Sequence, residues 1–283
     1  MKIDLHVHTT VSDGTDSPAQ LVAEAAAAGV DVIGLCDHDA TDGWDAALAA
    51  GEAAGVRVLR GIEVSCQVRG NSVHLLAYGC RLDDAALAAE LARNRAGRSE
   101  RVPTMLARLA EHGMPIPEDV LARHVGDSPS VGRPHFADAM VELGYVTDRR
   151  EAFDKWLADG KPIYVSRYST PLEHGLDLVR AAGGAAVIAH PWGRISRDSL
   201  PPRYLGALVA SRQLDGFEID HQDHDPATRD ELRALAAFTG AVVTGSSDYH
   251  GVGKIDHPLG CNTTAPEALA ELERRVQARG GVL

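Results

Sequence analysis

The chain of 283 residues predicts an α/β fold in which parallel strands alternate with helices, interrupted once by a helical insertion. Three observations carry this expectation. Seven short apolar runs recur along the chain, and two of them, Val32–Cys36 and Ala185–Ala189, are apolar without a break, as strands buried on both faces should be. Helix-start signals punctuate the stretches between runs. The rhythm lapses between Tyr78 and Ala185, where only helical patterns are found from about residue 82 to residue 160.

Taken in order, strands are expected at Lys2–His8, Asp31–Asp37, Val56–Ser65, Ser72–Tyr78, Ala185–His190, Gly216–Ile219 and Ala241–Ser246. After the first, Ser17 caps a helix with Pro18 in its opening position, and Gly29 stops it. The insertion is expected to hold helices at Ala85–Glu111, Glu118–His124, Arg133–Leu143 and Arg149–Asp159. Thr170–Glu173 and Thr264–Glu267 each read as a capping box enclosing a proline, and Asp225-Pro226 opens a helix that runs to Gly240. The barrel-like part therefore occupies residues 1–81 and 169–283, with the insertion at 82–168.

Composition bounds the function. Hydrophobic residues make up 45% of the chain, ordinary for a protein with a substantial core, and no run approaches the ~18–20 apolar residues of a membrane span. Lys2, Asp4 and His6 at the start are incompatible with a secretory signal. Cys36, Cys66, Cys80 and Cys261 are scattered, with no C-x-x-C pair, which points to free thiols in a reducing cytoplasm. A net charge of −12 argues against a protein that coats nucleic acid. The charge is uneven: residues 81–168 hold 13 Lys/Arg against 14 Asp/Glu, and the rest holds 15 against 26. The insertion is the place to seek anion-binding side chains.

Polar residues fall where the strands end. His6 and His8 share one side of the first strand, because side chains alternate along it. Asp37 and His38 end the second strand, and Glu63 lies near the end of the third. His190 ends the fifth, Glu218 and His221 follow the sixth, and Asp248 and His250 follow the seventh. In a parallel barrel these ends gather on one face, where active sites are built. His74 lies inside its strand, so its participation requires that strand to angle inward. One such histidine would be a packed or surface residue, but so many beside carboxylates form a metal pattern. Imidazole with carboxylate donors suits zinc, manganese or iron, and the lack of cysteine argues against a thiolate zinc site. The set exceeds the needs of one ion, so two or three ions sharing a carboxylate are expected, an arrangement suited to phosphate ester hydrolysis.

His6-x-His8, Asp37-His38, a lone Glu63, His190-Pro191 and Ser247-Asp-Tyr-His-Gly251 together resemble the PHP (polymerase and histidinol phosphatase) superfamily. The resemblance covers nearly the full length. It implies a distorted seven-stranded (β/α)7 barrel with a trinuclear metal centre and an inserted helical subdomain. By motif, His6, His8, Glu63 and Asp248 would hold one ion. Glu63 would bridge to a second, completed by His74 and His190, and Asp13, His38 and His250 would hold a third. With neutral histidines, three carboxylates and three divalent ions leave about +3, a cavity suited to a phosphate monoester dianion.

Within the insertion, Gly132-Arg-Pro-His135 and Lys161-Pro-Ile-Tyr-Val165 resemble the bacterial group of nucleoside 3′,5′-bisphosphate phosphatases and 5′-3′ exoribonucleases. This implies phosphate release from pAp-like molecules and trimming of short RNA, through a metal-bridging hydroxide. Arg133 at a helix start and Arg194 after His190 are candidate phosphate ligands, with His135 and Lys161 beside them. The plainer alternative pairs Arg133 with Asp138 and leaves Lys161 in a solvated turn. Asp37, His135 and His221 are the candidate proton donors, which sequence does not separate. Arg95, Arg98 and Arg101 are expected on a solvated helix face, and Trp156, Tyr164 and Tyr168 are the nearest candidates to stack a base. A histidinol-phosphate phosphatase and a non-catalytic metal-binding regulatory module are the competing readings. No membrane and no obligate protein partner are expected.

Overall fold

The computed structural model describes residues 1–193 and 197–283. Strands β1 (Ile3–Val7), β2 (Val32–Leu35), β3 (Arg57–Val68), β4 (Asn71–Tyr78), β6 (Ala185–Ile188), β7 (Gly216–Asp220) and β8 (Val242–Gly245) lie side by side in that order. A two-residue β5 (Thr170–Pro171) attaches to the outer end of β3. Val7 bridges Tyr249, beyond β8, so the sheet curls into a nearly closed barrel. Helices α1 (Pro18–Ala27), α2 (Trp44–Ala54), α8 (Leu172–Ala181), α9 (Pro202–Ala210) and α10 (Pro226–Thr239) accompany the strands, and α11 (Pro266–Ala278) ends the chain's regular structure. Among the described residues no helix is long and apolar enough to cross a membrane.

Most strands are parallel, as alternation with helices demands. The exception is β4, expected to be parallel but antiparallel to both β3 and β6. A two-residue loop, Arg69-Gly70, reverses the chain, and both residues take positive φ (51° and 82°), as tight hairpin turns require. This corrects the expectation that β4 must angle inward to deliver His74. Because β4 runs the other way, its first half lies at the face where its neighbours end, and His74 is opposite Ser65.

Inside the barrel Ile3, Leu5, Val32, Leu59, Leu76, Val187 and Val242 pack with Leu269, Leu272 and Val276 of α11. Val276 sits against Gly79 and Arg279 donates to the Gly184 carbonyl, so α11 closes the face where β6 begins. The opposite face is left for chemistry. Backbones pack closely here: a Cβ on Gly34 would lie 2.3 Å from the Leu5 carbonyl oxygen.

The insertion comprises α3 (Ala85–Glu100), α4 (Val102–Glu111), α5 (Glu118–Val125), α6 (Arg133–Glu142) and α7 (Arg149–Ala152), the last running into a π-helical turn at Phe153–Leu157. Its α4–α7 part buries Met105, Leu109, Phe136, Met140 and Ile163 in a cluster separate from the barrel's. The single helix expected over 85–111 is broken at Arg101, because Pro103 has no N–H to continue the ladder.

Ser17 caps α1 in a capping box with Gln20, and Asp225 and Gly240 bound α10 as expected. The two threonine capping boxes do not form. Thr170 joins the sheet and directs its N–H and hydroxyl to Asn94 Oδ1 at 3.2 Å. Thr264 exchanges hydrogen bonds with the Gly245 backbone. In both, tertiary partners displace a local cap, and Pro171 and Ala265 take the capping positions without side-chain bonds.

Candidate metal centre

Two histidines reach the open face through an irregularity in β1. Its register against β2 slips between Asp4 and Val7, so Leu5 belongs to the barrel interior while Val7 packs under the outer helices. A bulge of this kind re-aims side chains next to a site. Here it brings His6 Nε2 and His8 Nε2 within 3.0 Å of each other. Glu63 Oε2 lies 3.3 Å and 3.2 Å from those two nitrogens, and Asp248 Oδ1 lies 3.6 Å and 3.4 Å from them. All four side chains are buried.

Glu63 faces two ways. Its other oxygen, Oε1, is 2.7 Å from His74 Nδ1 and 3.3 Å from His190 Nε2. His38 stands on the third side, with Nδ1 3.0 Å from Glu63 Oε2 and Nε2 3.6 Å from Asp13 Oδ2. Asp13 Oδ1 is 3.3 Å from His250 Nε2, and the His250 ring stacks on His8 at 4.1 Å. All nine metal-ligand candidates, His6, His8, Asp13, His38, Glu63, His74, His190, Asp248 and His250, converge on this one face.

The donor chemistry fits bound divalent ions. Asp13 Oδ1, His38 Nδ1 and His74 Nδ1 are buried and, although each lies within 3.3 Å of another donor-type atom, none makes a well-aligned hydrogen bond, which native interiors rarely leave without cause. Three overlapping groups, His6/His8/Asp248, His38/Glu63/His74 and His8/Asp13/His38/His250, place their donor atoms within 4.8 Å of one another. His190 and Asp248 hold positive φ (30° and 54°), strained for non-glycine residues and of the kind that clusters at functional sites.

Electrostatics show what an ion would replace. Burial opposes charging of His6, yet Glu63, Glu218 and Asp248 hold its pKa well above the ordinary histidine value. Burial likewise opposes His8, but Asp248 and Glu63 raise it to about 9. Burial alone would raise the Glu63 and Asp13 carboxyls; neighbouring imidazoles, His38 foremost, hold both well below the carboxylate range. His38 is pushed down by burial, and His250 to about 4 by burial and then by His8. The surrounding carboxylates thus favour protons at the His6–His8 pair when no ion is bound.

A sign follows for pH. A histidine whose folded pKa of about 9 exceeds its reference of 6.5 contributes stability below pH 6.5 that is lost as pH rises to 9. A metal ligand must be neutral, so loading displaces those protons. Divalent ion uptake should therefore release protons and tighten from pH 6.5 to 9. Titration calorimetry in buffers of different ionisation enthalpy measures both, and an affinity flat across that window contradicts the assignment.

Supporting groups complete the site. Glu218, which sequence placed at a strand end without assigning it a role, accepts from the His190 N–H at 2.8 Å and from the Ser246 hydroxyl. Its Oε1 is 3.0 Å from His6 Nδ1, the carboxylate–histidine arrangement that orients metal ligands. Its signal was a carboxylate inside the apolar run Gly216–Ile219. Lys254, which sequence reasoning missed, pairs with Asp248 Oδ2. Asp39 was also missed: it takes Ser65 N, Ser65 Oγ, Asn94 Nδ2 and Arg98 Nε at 2.6–3.2 Å, tying α3 to the barrel.

The remaining candidates separate by geometry. Asp37 accepts from Thr9 N, Thr9 Oγ1 and Ser12 Oγ at 2.6–2.8 Å, so it braces the loop that carries Asp13. His221 sits behind Asp248, Nε2 to Oδ2 at 3.3 Å, and its Nδ1 accepts from Asp223 N. His135 is buried; its Nδ1 accepts from Gly132 N, and burial lowers its pKa against the pull of nearby Asp13. Arg133 pairs with Asp159 at 2.6 Å, not with Asp138, whose partner is Arg149. Lys161 is exposed in a turn after the π-helical segment. Arg194 lies outside the described residues. Arg98 and Arg101, expected on a solvated face, are both buried.

The PHP domain family model matches residues 4–116. The 3′,5′-nucleoside bisphosphate phosphatase of Chromobacterium violaceum is 34% identical over 98% of this chain and 97% of its own length. The 5′-3′ exoribonuclease of Haemophilus influenzae is 35% identical over 88% of this chain and 90% of its own. A crystal structure from Bifidobacterium adolescentis, provisionally assigned as a metal-dependent phosphoesterase, superposes with a TM-score of 0.91 at 34% identity, covering 96% of both chains.

Proposed function

The chain belongs to the PHP family of metal-dependent phosphoesterases, and from that premise we propose that it removes phosphate from nucleoside 3′,5′-bisphosphates and trims short RNA from its 5′ end. The observation that carries this is the largely buried convergence of Asp13, Asp248 and six imidazoles around Glu63, whose two oxygens face different groups of histidines. The similarity to a bisphosphate phosphatase over nearly the whole chain supports the substrate class.

In this reading His6, His8, Glu63 and Asp248 would hold one ion, Glu63, His74 and His190 a second, and Asp13, His38 and His250 a third. Bound manganese, iron or zinc would supply an activated water and neutralise phosphoryl charge. The chain does the rest. Glu218 fixes the His6 ring so that Nε2 faces the centre. Asp37 holds the Asp13 loop, and His221 holds Asp248 from behind. With its Nδ1 accepting from Gly132, His135 carries its proton on Nε2, and we assign it as a hydrogen-bond donor that orients the substrate's sugar oxygen, not as the source of its proton. Residues 1–81 and 169–283 form the metal-binding barrel, and 82–168 read the substrate, with Arg133, Lys161 and Arg194 as candidate contacts. Four free cysteines, three of them buried, suit a reducing cytoplasm.

The test is phosphate release from adenosine 3′,5′-bisphosphate, a 5′-phosphorylated oligoribonucleotide and histidinol phosphate, before and after chelation. Chelator-sensitive release with at least tenfold preference for the nucleotides is expected. Preference for histidinol phosphate moves the chain to that alternative, and full activity after complete ion removal overturns the scheme.

A further inference from the structure

The three groups of ion ligands lean on different parts of the molecule. Glu63 and His74 stand on β3 and β4, and Glu218 of β7 fixes the His6 ring and the His190 backbone. Asp248 is held by His221 and Lys254. The first two groups are therefore braced from the barrel. The third group, Asp13, His38 and His250, has the insertion behind each member. Asp39, next to His38, is gripped by Arg95, Asn94 and Arg98 of α3. Ser128 Oγ lies 2.9 Å and 3.0 Å from the Val11 and Ser12 carbonyl oxygens, just ahead of Asp13. Arg150 pairs with Asp256 in the loop that follows His250.

One side chain touches two of these ligand loops at once. Arg149, at the start of α7, is largely buried, and its Nε and Nη2 donate to the two carboxylate oxygens of Asp138 at 2.5 Å and 2.6 Å. A two-pronged pair of this kind fixes the guanidinium plane as well as neutralising it. The remaining nitrogen, Nη1, donates to the Asp13 carbonyl at 3.4 Å. The Gly253 backbone passes so close that an added Cβ would lie 2.1 Å from the same Nη1. The Asp13 loop and the loop after His250 thus meet on one guanidinium that belongs to the insertion. Because Asp138 already balances its charge, what Arg149 gives these loops is position.

We propose that Arg149 is a positioning residue that makes filling of the third ion site depend on docking of the α4–α7 subdomain against the barrel. Partners that hold ligands from behind change metal affinity by on the order of ten- to a hundredfold. With the subdomain docked, Arg149 keeps the Asp13 and His250 loops beside His38. With it displaced, the barrel retains the first two groups alone. The dependence is reciprocal, so a divalent cation in the third site steadies the docked subdomain by the same factor. It rests on the ion assignment made above and not on the choice of substrate.

The experiment titrates manganese calorimetrically into the ion-free full chain and counts retained metal per chain by elemental analysis. His250→Ala, which removes a ligand of the third group, identifies that group's step. The wild type should take three ions. Arg149→Met should keep two at wild-type affinity and bind the third on the order of tenfold or more weakly, and Arg149→Lys should recover part of the loss. Gly253→Ala should show the same selective weakening, because its methyl group would displace the guanidinium from a different chain segment. Arg123→Met serves as the control for loosening the subdomain, since its partners Asp119 and Glu142 lie inside the insertion, and it should keep all three ions. Hydrogen exchange in α6 and α7 should slow when the third ion binds to the wild type, and not in Arg149→Met. A wild type that saturates at two ions, an unchanged third step in both variants, or equal weakening of every step overturns the proposal. Should Arg149→Met fail to fold, Gly253→Ala decides. If the ion counts follow expectation while no nucleotide releases phosphate, the positioning role stands and the substrate reading alone fails.

Discussion

Glu63→Gln is expected to lower phosphate release by on the order of a thousandfold, the several kcal/mol that ion-assisted charge stabilisation contributes. The substitution conserves shape, so the fold should persist while both oxygens' partners lose their shared anion. Oε2 stands 3.2–3.3 Å from His6 and His8, and Oε1 stands 2.7–3.3 Å from His74 and His190. Bound metal per chain should fall together with the rate, as measured by elemental analysis on the purified variant. More than a tenth of wild-type turnover with full metal content would remove Glu63 from its bridging position.

The second large effect concerns stability. Asp39→Ala strips a buried, hydrogen-bonded carboxylate from Arg98, whose guanidinium stays buried. Breaking one side of such a pair costs about 3–5 kcal/mol, which lowers the thermal midpoint on the order of 10 °C for a chain of this size. Hydrogen exchange should quicken in α3, which Asp39 fastens through Asn94 and Arg98. Adding Arg98→Met to Asp39→Ala should restore much of the loss, because the stranded charge is then gone. A midpoint within 2 °C of wild type in Asp39→Ala alone would show that α3 is held by packing instead.

The strands were legible because their apolar runs recur between helix-start signals, and most metal-face residues because histidine and carboxylate at strand ends are costly choices without a purpose; Asp13 was reached only through the family resemblance. What escaped was set by one tight turn and by distant partners. The direction of β4 depends on the left-handed pair Arg69-Gly70, and Arg69 carries no glycine-like signal. Thr170 and Thr264 have the spacing of helix caps, yet each is claimed by backbone or side chains far along the chain. Arg98 and Arg101 look like a solvated run because their burial is created by Asp39 and by the returning segment at Arg167. Glu218 reads as a mere strand residue until the barrel closes and turns it towards His6.

The reversal of β4 has a mechanical consequence. Tyr78, its last residue, pairs with Ala185 at the closed end of the barrel, so the chain enters the insertion far from the reactive face. The 16 residues of α3 then run about 24 Å back along the barrel wall. The chain rejoins the sheet at Thr170, beside Cys66. The insertion's first and last residues are thus fixed at opposite ends of the barrel, with α3 spanning the distance between them. The separately cored α4–α7 part leaves α3 at Arg101 and returns beside it, where Gly97 meets Tyr168 and Thr170 bonds Asn94. Any movement of that part relative to the barrel therefore turns on one pivot at the rim, while α3 stays fixed.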